Sequence, residues 1–166
     1  MSAKVAIVMG SDSDFPVVVP CIKVLKEFGI EVDVNVISAH RTPVEAEAFA
    51  KGAEDNGIGV IIAAAGKAAH LGGVIAAHTT LPVIGLPIKS STLDGLDSLL
   101  SIVQMPKGIP VATVAINGGD NAGILAAQIL SLSDPEIKAK LKAYKVQMRD
   151  EVNEKNAKIK AEVEAL

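Results

Sequence analysis

Short apolar runs alternate with amphipathic stretches along most of this chain. Runs at residues 4–9, 32–37, 60–64, 82–86 and 110–115 read as strands, the second of them as a buried strand. Between them lie helical patterns at 15–28, 43–55, 93–104 and 122–130, and a shorter one ending near residue 77. Gly29 ends the first helix, and Pro20 inside it implies a kink or a late start. A strand-helix repeat of this kind predicts a parallel sheet covered on both faces, with right-handed crossovers. The last segment differs. Asp134 and Pro135 suit a helix cap and first position. Beyond them Ile137, Leu141, Tyr144, Met148, Val152, Ile159, Val163 and Leu166 form one apolar stripe. Helical to its end, this tail would be about 48 Å long at roughly 1.5 Å per residue. The body before it should be only about 36 Å across. The tail is therefore expected to overhang its own domain and pack on a neighbouring subunit, although residues 153–156 interrupt the stripe.

The class expected is α/β, with a flavodoxin-like or Rossmann-like parallel sheet. With 166 residues the chain suffices for one domain with a real core. Hydrophobic residues make up 49% and the mean hydropathy is +0.39. Yet no stretch approaches the roughly 20 apolar residues of a membrane span. The first residues pass directly into a strand without a signal peptide's layout, so a cytoplasmic protein is expected. A net charge of −3, a pI near 5.6 and 2% aromatics argue against a nucleic-acid partner. A single nucleotide remains a suitable ligand. Cys21 is the only cysteine, which rules out an intrachain disulfide. Its apolar neighbours make it a buried thiol rather than a nucleophile.

Four polar clusters fall where parallel strands should end. The most informative is Ser38-Ala39-His40-Arg41-Thr42-Pro43. Thr42 is placed to cap the next helix, Pro43 suits its first position, and Glu45 completes a capping-box spacing. An imidazole and a permanent cation thus stand at a strand's carboxyl end beside a helix amino terminus. Ligands bind in that crevice, and anions are favoured there. An imidazole can also move protons near neutral pH. Alone, the motif does not separate phosphate binding from catalysis. The cluster Gly10-Ser11-Asp12-Ser13-Asp14 lacks dinucleotide and P-loop spacings. A helix cap by Ser13 or Asp14 accounts for one residue, whereas four polar residues in five fit a phosphate and ribose site. The third cluster runs from Ala63 through Lys67 and His70 to Gly73. Its small side chains fit close ligand approach, a dry pocket for a small apolar species, or plain helix–sheet packing. His70 and His78 could share a helix face, but without acidic partners no zinc site is expected. The fourth, Lys89-Ser90-Ser91-Thr92 to Asp97-Ser98 with Gln104-Met105-Pro106, is loop-like and less specific.

Together these segments resemble the PurE family of purine biosynthesis. The matching pieces are Gly10-Ser11-Asp12-Ser13-Asp14, Ser38-Ala39-His40-Arg41-Thr42-Pro43, Ala68-Ala69-His70-Leu71, Leu81-Pro82-Val83-Ile84-Gly85, the run from Asp94 to Pro106, and Asn121-Ala122-Gly123-Ile124-Leu125-Ala126-Ala127. They span residues 4–132 in order. The resemblance implies a three-layer α/β/α sandwich assembled as an octamer, its C-terminal helices packing on neighbours. Residues 1–133 would be the nucleotide-binding catalytic body and 134–166 the helix serving those neighbours. Arg41-Thr42-Pro43 after His40, and the run ending in Gln104-Met105-Pro106, resemble the bacterial-type mutases. These convert N5-carboxyaminoimidazole ribonucleotide to its 4-carboxy isomer. The sister class carboxylates aminoimidazole ribonucleotide directly with CO2. More distant alternatives are a related domain acting on another heteroaromatic acid and a non-catalytic flavodoxin-like nucleotide-binding module.

The resemblance implies His40 as acid and then base, with neither metal nor cofactor. Ser11, Asp14 and Arg41, with Ser13 and Ser38, would hold phosphate and ribose. Ala65, Gly66, Ala68 and His70 would enclose CO2. One departure stands out. The mutases usually carry Gly, Gly and Pro where this chain has Ala64, Lys67 and Gly72. A lysine beside the CO2 pocket is a large change whose role the sequence leaves open.

Overall fold

The computed structural model describes residues 4–91 and 93–166. Five strands carry the sheet: β1 (Lys4–Met9), β2 (Val32–Val36), β3 (Ile58–Gly66), β4 (Val83–Ile88) and β5 (Ala112–Thr113). Six helices follow them in turn: α1 (Phe15–Glu27), α2 (Pro43–Gly52), α3 (Leu71–Ala77), α4 (Leu96–Val103), α5 (Gly119–Leu130) and α6 (Pro135–Glu164). All strands pair in parallel, in the order β2-β1-β3-β4-β5. This is the flavodoxin-like order, in which the sheet reverses direction between β1 and β3.

Alternation along the central strands sorts side chains onto two faces. Val5, Ile7, Val60, Ile62, Ile84 and Leu86 pack with Val18, Cys21 and Leu25 of α1 and Ala122 and Ala126 of α5. Ala6, Val8, Ile61 and Ala63 face α2, α3 and α4 through Ala46, Ala50, Leu71, Ile75 and Ile102. Both faces are thus covered and the three layers are complete. On the first face, α1 and α5 touch almost backbone to backbone. A Cβ on Gly119 would collide with the Val17 carbonyl, and one on Gly123 would lie 3.0 Å from the Cys21 carbonyl.

Several elements differ from the sequence expectation. The 32–37 run is not a buried strand: β2 lies at the sheet edge, and Val36 is 58% exposed. Its Val-Asp-Val-Asn-Val sequence alternates, as suits a strand with one partner. Strand β4 runs past residue 86 to Ile88 despite Pro87. The Pro87 carbonyl accepts from Asn117 N–H (2.8 Å) on the side where β5 has already ended, so the missing donor costs no ladder bond. Strand β5 keeps two of the six expected residues. Pro110 cannot donate at its start, and the chain leaves the sheet toward Asn117. Helix α1 starts at Phe15 with Pro20 inside it; the hydrogen bond lost is the one to Pro16, in the first turn. Helix α2 stops at Gly52 rather than 55, and Gly57 at φ 77° turns the chain into β3.

The tail is one helix of 30 residues. Asp134 caps it, its carboxylate accepting from the N–H groups of Glu136 and Ile137 at 3.0 and 3.2 Å. Its first turns are fixed to α1. Lys140 donates to the Phe28 carbonyl (2.8 Å), where a cation suits a helix carboxyl end, and Tyr144 meets Phe28 edge to face at 5.8 Å. Beyond Met148 every residue is exposed, including Val152, Ile159 and Val163.

Candidate active site

The strands β1, β2, β3 and β4 all open into one cleft at their carboxyl ends, with a volume of about 580 Å³. It straddles the β1/β3 reversal, the place where open parallel sheets bind ligands. The loop after β1 contributes Gly10, Ser11, Ser13 and Asp14; the loop after β2 contributes Ser38, Ala39, His40 and Arg41. The turn after β3 adds Ala65, Gly66, Lys67, Ala68 and His70, and β4 adds Ile88, Lys89 and Ser90. All ten residues singled out from the sequence therefore line a single cavity.

The β2 loop is folded on itself. The Ser38 N–H donates to Thr42 Oγ1 (2.9 Å), and the Thr42 hydroxyl donates to the Ser38 carbonyl (3.0 Å). The Arg41 N–H donates to Ser38 Oγ at 3.2 Å. This corrects the capping box expected of Thr42 and Glu45. Thr42 precedes α2 but makes no side-chain cap bond, because its hydroxyl closes the loop instead. The closure leaves His40 and Arg41 on the cleft side. The Arg41 guanidinium donates to the Gly10 carbonyl (3.0 Å) and to Ser38 Oγ (3.4 Å), which ties the β1 and β2 loops together.

The β1 loop is held by Ser11. Its hydroxyl accepts from Ser13 N–H (3.3 Å) and Ser13 Oγ (2.9 Å) and donates to Asp12 (3.2 Å). Ser11, rather than Ser13 or Asp14, thus caps the 3₁₀ turn Asp12–Asp14, and the Asp14 side chain makes no cap bond to α1. Asp14 is buried, at 8% exposure. Burial pushes its carboxyl up from the usual aspartate value, and hydrogen bonds from Ser11 and Ser13 pull it part of the way back.

Thirty residues apart in sequence, His40 and His70 meet at Nε2···Nδ1 2.9 Å, with rings 5.0 Å apart and nearly perpendicular. One ring must donate and the other accept. The contact therefore survives with no proton or one proton added to the neutral pair. It is lost when both rings are fully protonated. His70 stands just before α3 and His78 just after it, so the two bracket the helix rather than share its face. Among the described residues no three His, Cys, Asp or Glu groups lie close enough to hold a metal.

Lys89, Ser90 and Ile88 line the cleft but were not picked out as site residues. The signal was the end of β4. With that strand continued to Ile88, Lys89 becomes its carboxyl-end residue. Lys89 N–H donates to Asn117 Oδ1 (2.8 Å), its ammonium pairs with Asp94 (3.0 Å), and Ser90 Oγ donates to Asp97 (3.1 Å). Another member of that polar cluster, Thr92, lies outside the described residues.

Comparison with known proteins follows the same outline. The family model described as AIR carboxylase matches residues 4–151. The N5-carboxyaminoimidazole ribonucleotide mutase of Thermotoga maritima is 60% identical over 152 residues, covering 92% of this chain and 89% of that protein. The phosphoribosylaminoimidazole carboxylase of Candida glabrata is 50% identical over 157 residues, covering 95% of this chain but 28% of that longer protein. The crystal structure of Treponema denticola PurE superposes with a TM-score of 0.87 at 32% identity, over 94% of this chain and 98% of that one. A parallel sheet of this order, its cleft and its sequence throughout residues 4–151 place the chain in the AIR carboxylase (PurE) family.

Proposed function

We propose that this cleft carries out the N5-carboxyaminoimidazole ribonucleotide mutase reaction of purine biosynthesis, moving one carboxyl group between two atoms of a bound nucleotide. The contact between His40 and His70 carries the reading: a proton-transfer pair in the wall of a nucleotide-sized cleft, in a chain 60% identical to a mutase of that name. His40, as imidazolium, protonates N5 of the carbamate, and the N5–carboxyl bond breaks to release CO2. C4 of the aminoimidazole attacks that CO2, forming a carbon–carbon bond. Neutral His40 then takes the proton from C4. One proton goes out and one returns, so the enzyme ends as it began, without metal or cofactor. His70 holds the His40 ring in place through the first transfer.

Arg41, Ser11 and Asp14, with Ser13 and Ser38, hold the phosphate and ribose. Arg41 supplies the charge complementary to phosphate, and the hydroxyls supply neutral hydrogen bonds. Ala65, Gly66, Ala68 and His70 enclose CO2 and keep water from it. The body of the chain, residues 1–133, is the catalytic unit. Residues 134–166 pack on neighbouring subunits of a homo-octamer. The setting is cytoplasmic, with no nucleic-acid or membrane partner.

His40→Asn tests the reading directly. The variant should bind nucleotide as the wild type does and lose about 10²–10⁴ in turnover, the usual worth of a general acid–base group. Turnover near that of wild type would remove His40 from the chemistry. The fungal relative's name keeps direct carboxylation as a second reading. Conversion of the N5-carboxy nucleotide without bicarbonate identifies the mutase. Conversion of only the uncarboxylated nucleotide, and only with bicarbonate, identifies the carboxylase. Binding without either conversion leaves a nucleotide-binding module.

A further inference from the structure

Lys67 stands in the cleft wall at the turn from β3 to α3, three residues before His70. Three residues span at most roughly 11 Å of chain. Lys67 therefore lines the same end of the cleft as His70. Its backbone is unusual. Lys67 has φ 55°, in the left-handed region where glycine is at ease and a side chain is strained. A lysine is held at a position whose backbone favours glycine, and a strained residue in a cleft invites a functional explanation. Of the cleft's other cations, Lys89 is paired with Asp94, and Arg41, anchored on the neutral Gly10 carbonyl and Ser38 hydroxyl, is assigned above to the phosphate. Lys67 is exposed and, among the described residues, pairs with no acidic side chain.

We propose that Lys67 is a specificity-determining residue that recognises the carboxylate carried by the nucleotide, an assignment that rests on the mutase reading above. The substrate and product of that reaction differ in where the carboxylate is attached, and both are anionic there. CO2 and the uncarboxylated nucleotide lack that charge. An ammonium at this end of the cleft holds both carboxylated forms and discriminates against the uncarboxylated one. Because it favours the two carboxylated ground states over the uncarboxylated intermediate between them, its removal should raise KM without lowering kcat.

The test is calorimetric titration of wild type, Lys67→Gly and Lys67→Arg with two probes, 4-carboxy-5-aminoimidazole ribonucleotide and aminoimidazole ribonucleotide. Both probes carry the same phosphate and ribose. Lys67→Gly should weaken binding of the carboxylated probe about tenfold, the scale of one charge-assisted hydrogen bond, and leave the other probe within about twofold. Lys67→Arg should restore the preference. Glycine should also raise the Tm, because it relieves the left-handed strain. Loss of affinity with a gain in stability is a signature that a packing role does not produce. An unchanged preference, an equal loss for both probes, or a lower Tm in Lys67→Gly would overturn the assignment. If wild type converts the N5-carboxy nucleotide while Lys67→Gly keeps its preference, only this assignment fails. If wild type binds neither probe, the mutase reading fails and this one with it.

Discussion

Asp14, which we propose holds the nucleotide, sits uneasily in its own fold. Burial pushes its carboxyl up, and the Ser11 and Ser13 hydrogen bonds offset only part of that. A raised carboxyl is one whose ionised form the fold disfavours. Its contribution to stability is therefore fully present in acid, below the ordinary aspartate range, and is lost as pH rises through the raised value. Asp14→Asn should accordingly have a higher Tm than wild type at neutral pH, with the gap closing below about pH 4. Nucleotide affinity should fall in the same variant. A Tm no higher than wild type at neutral pH would mean that Asp14 is not under strain. Cys21 is the opposite case. Burial, with a smaller effect of the Asp120 charge, pushes its thiol up to about 12, so it behaves as a packing residue of α1. The sequence had it right from its apolar neighbours alone. His40 and Arg41 were legible for a similar reason: a strand end followed by a helix start is a local pattern. Their partners were not. Nothing local connects His40 to His70, or Arg41 to the Gly10 carbonyl, because those contacts cross between loops brought together by the sheet order.

At the scale of elements, the tightest joint is between α1 and α5. Gly119 and Gly123 lie one turn apart, and each faces a carbonyl of α1. Gly119→Ala places a methyl against backbone that has no rotamer to move. A loss of about 1–3 kcal/mol is expected, the usual range for overpacking, read as a shifted midpoint in urea. Strands β4 and β5 show where pattern reading loses an element's end. Pro87 reads as a stop because proline lacks a donor, yet the ladder on that side has already finished. The same shift of the strand end brings Lys89 and Ser90 into the cleft, where sequence had left a loop. Thr42 teaches the converse. It has a capping residue's identity and position, but its hydroxyl meets a nearer partner in Ser38.

For the whole molecule, α6 divides into two parts with different work. Ile137, Leu141 and Tyr144 pack on the α1–α5 side, and Lys140 ties the helix to Phe28. Past Met148 the stripe has nothing of its own chain beneath it. A helix of this length without packing is marginal in water. Removing residues 149–166 should leave the body folded, with a circular-dichroism loss no larger than the helix removed. If the proposed homo-octamer is held by this tail, sedimentation should then report a smaller assembly than for the full chain. An unchanged assembly would place the subunit contacts elsewhere. What the sequence determined by itself was whatever depends on near neighbours along the chain: the alternation of strands and helices, the Asp134 cap, the tail's stripe, and the polar residues at strand ends. Such features follow from hydrophobic periodicity and local hydrogen-bonding chemistry, which act over a few residues. The tertiary structure decided what depends on distant segments meeting. It set β2 at the edge, carried β4 two residues further, and paired His40 with His70. It also gave Lys67 its left-handed backbone in the wall of the cleft. Those outcomes are fixed by strand order and by the competition among partners in space, which no stretch of sequence contains.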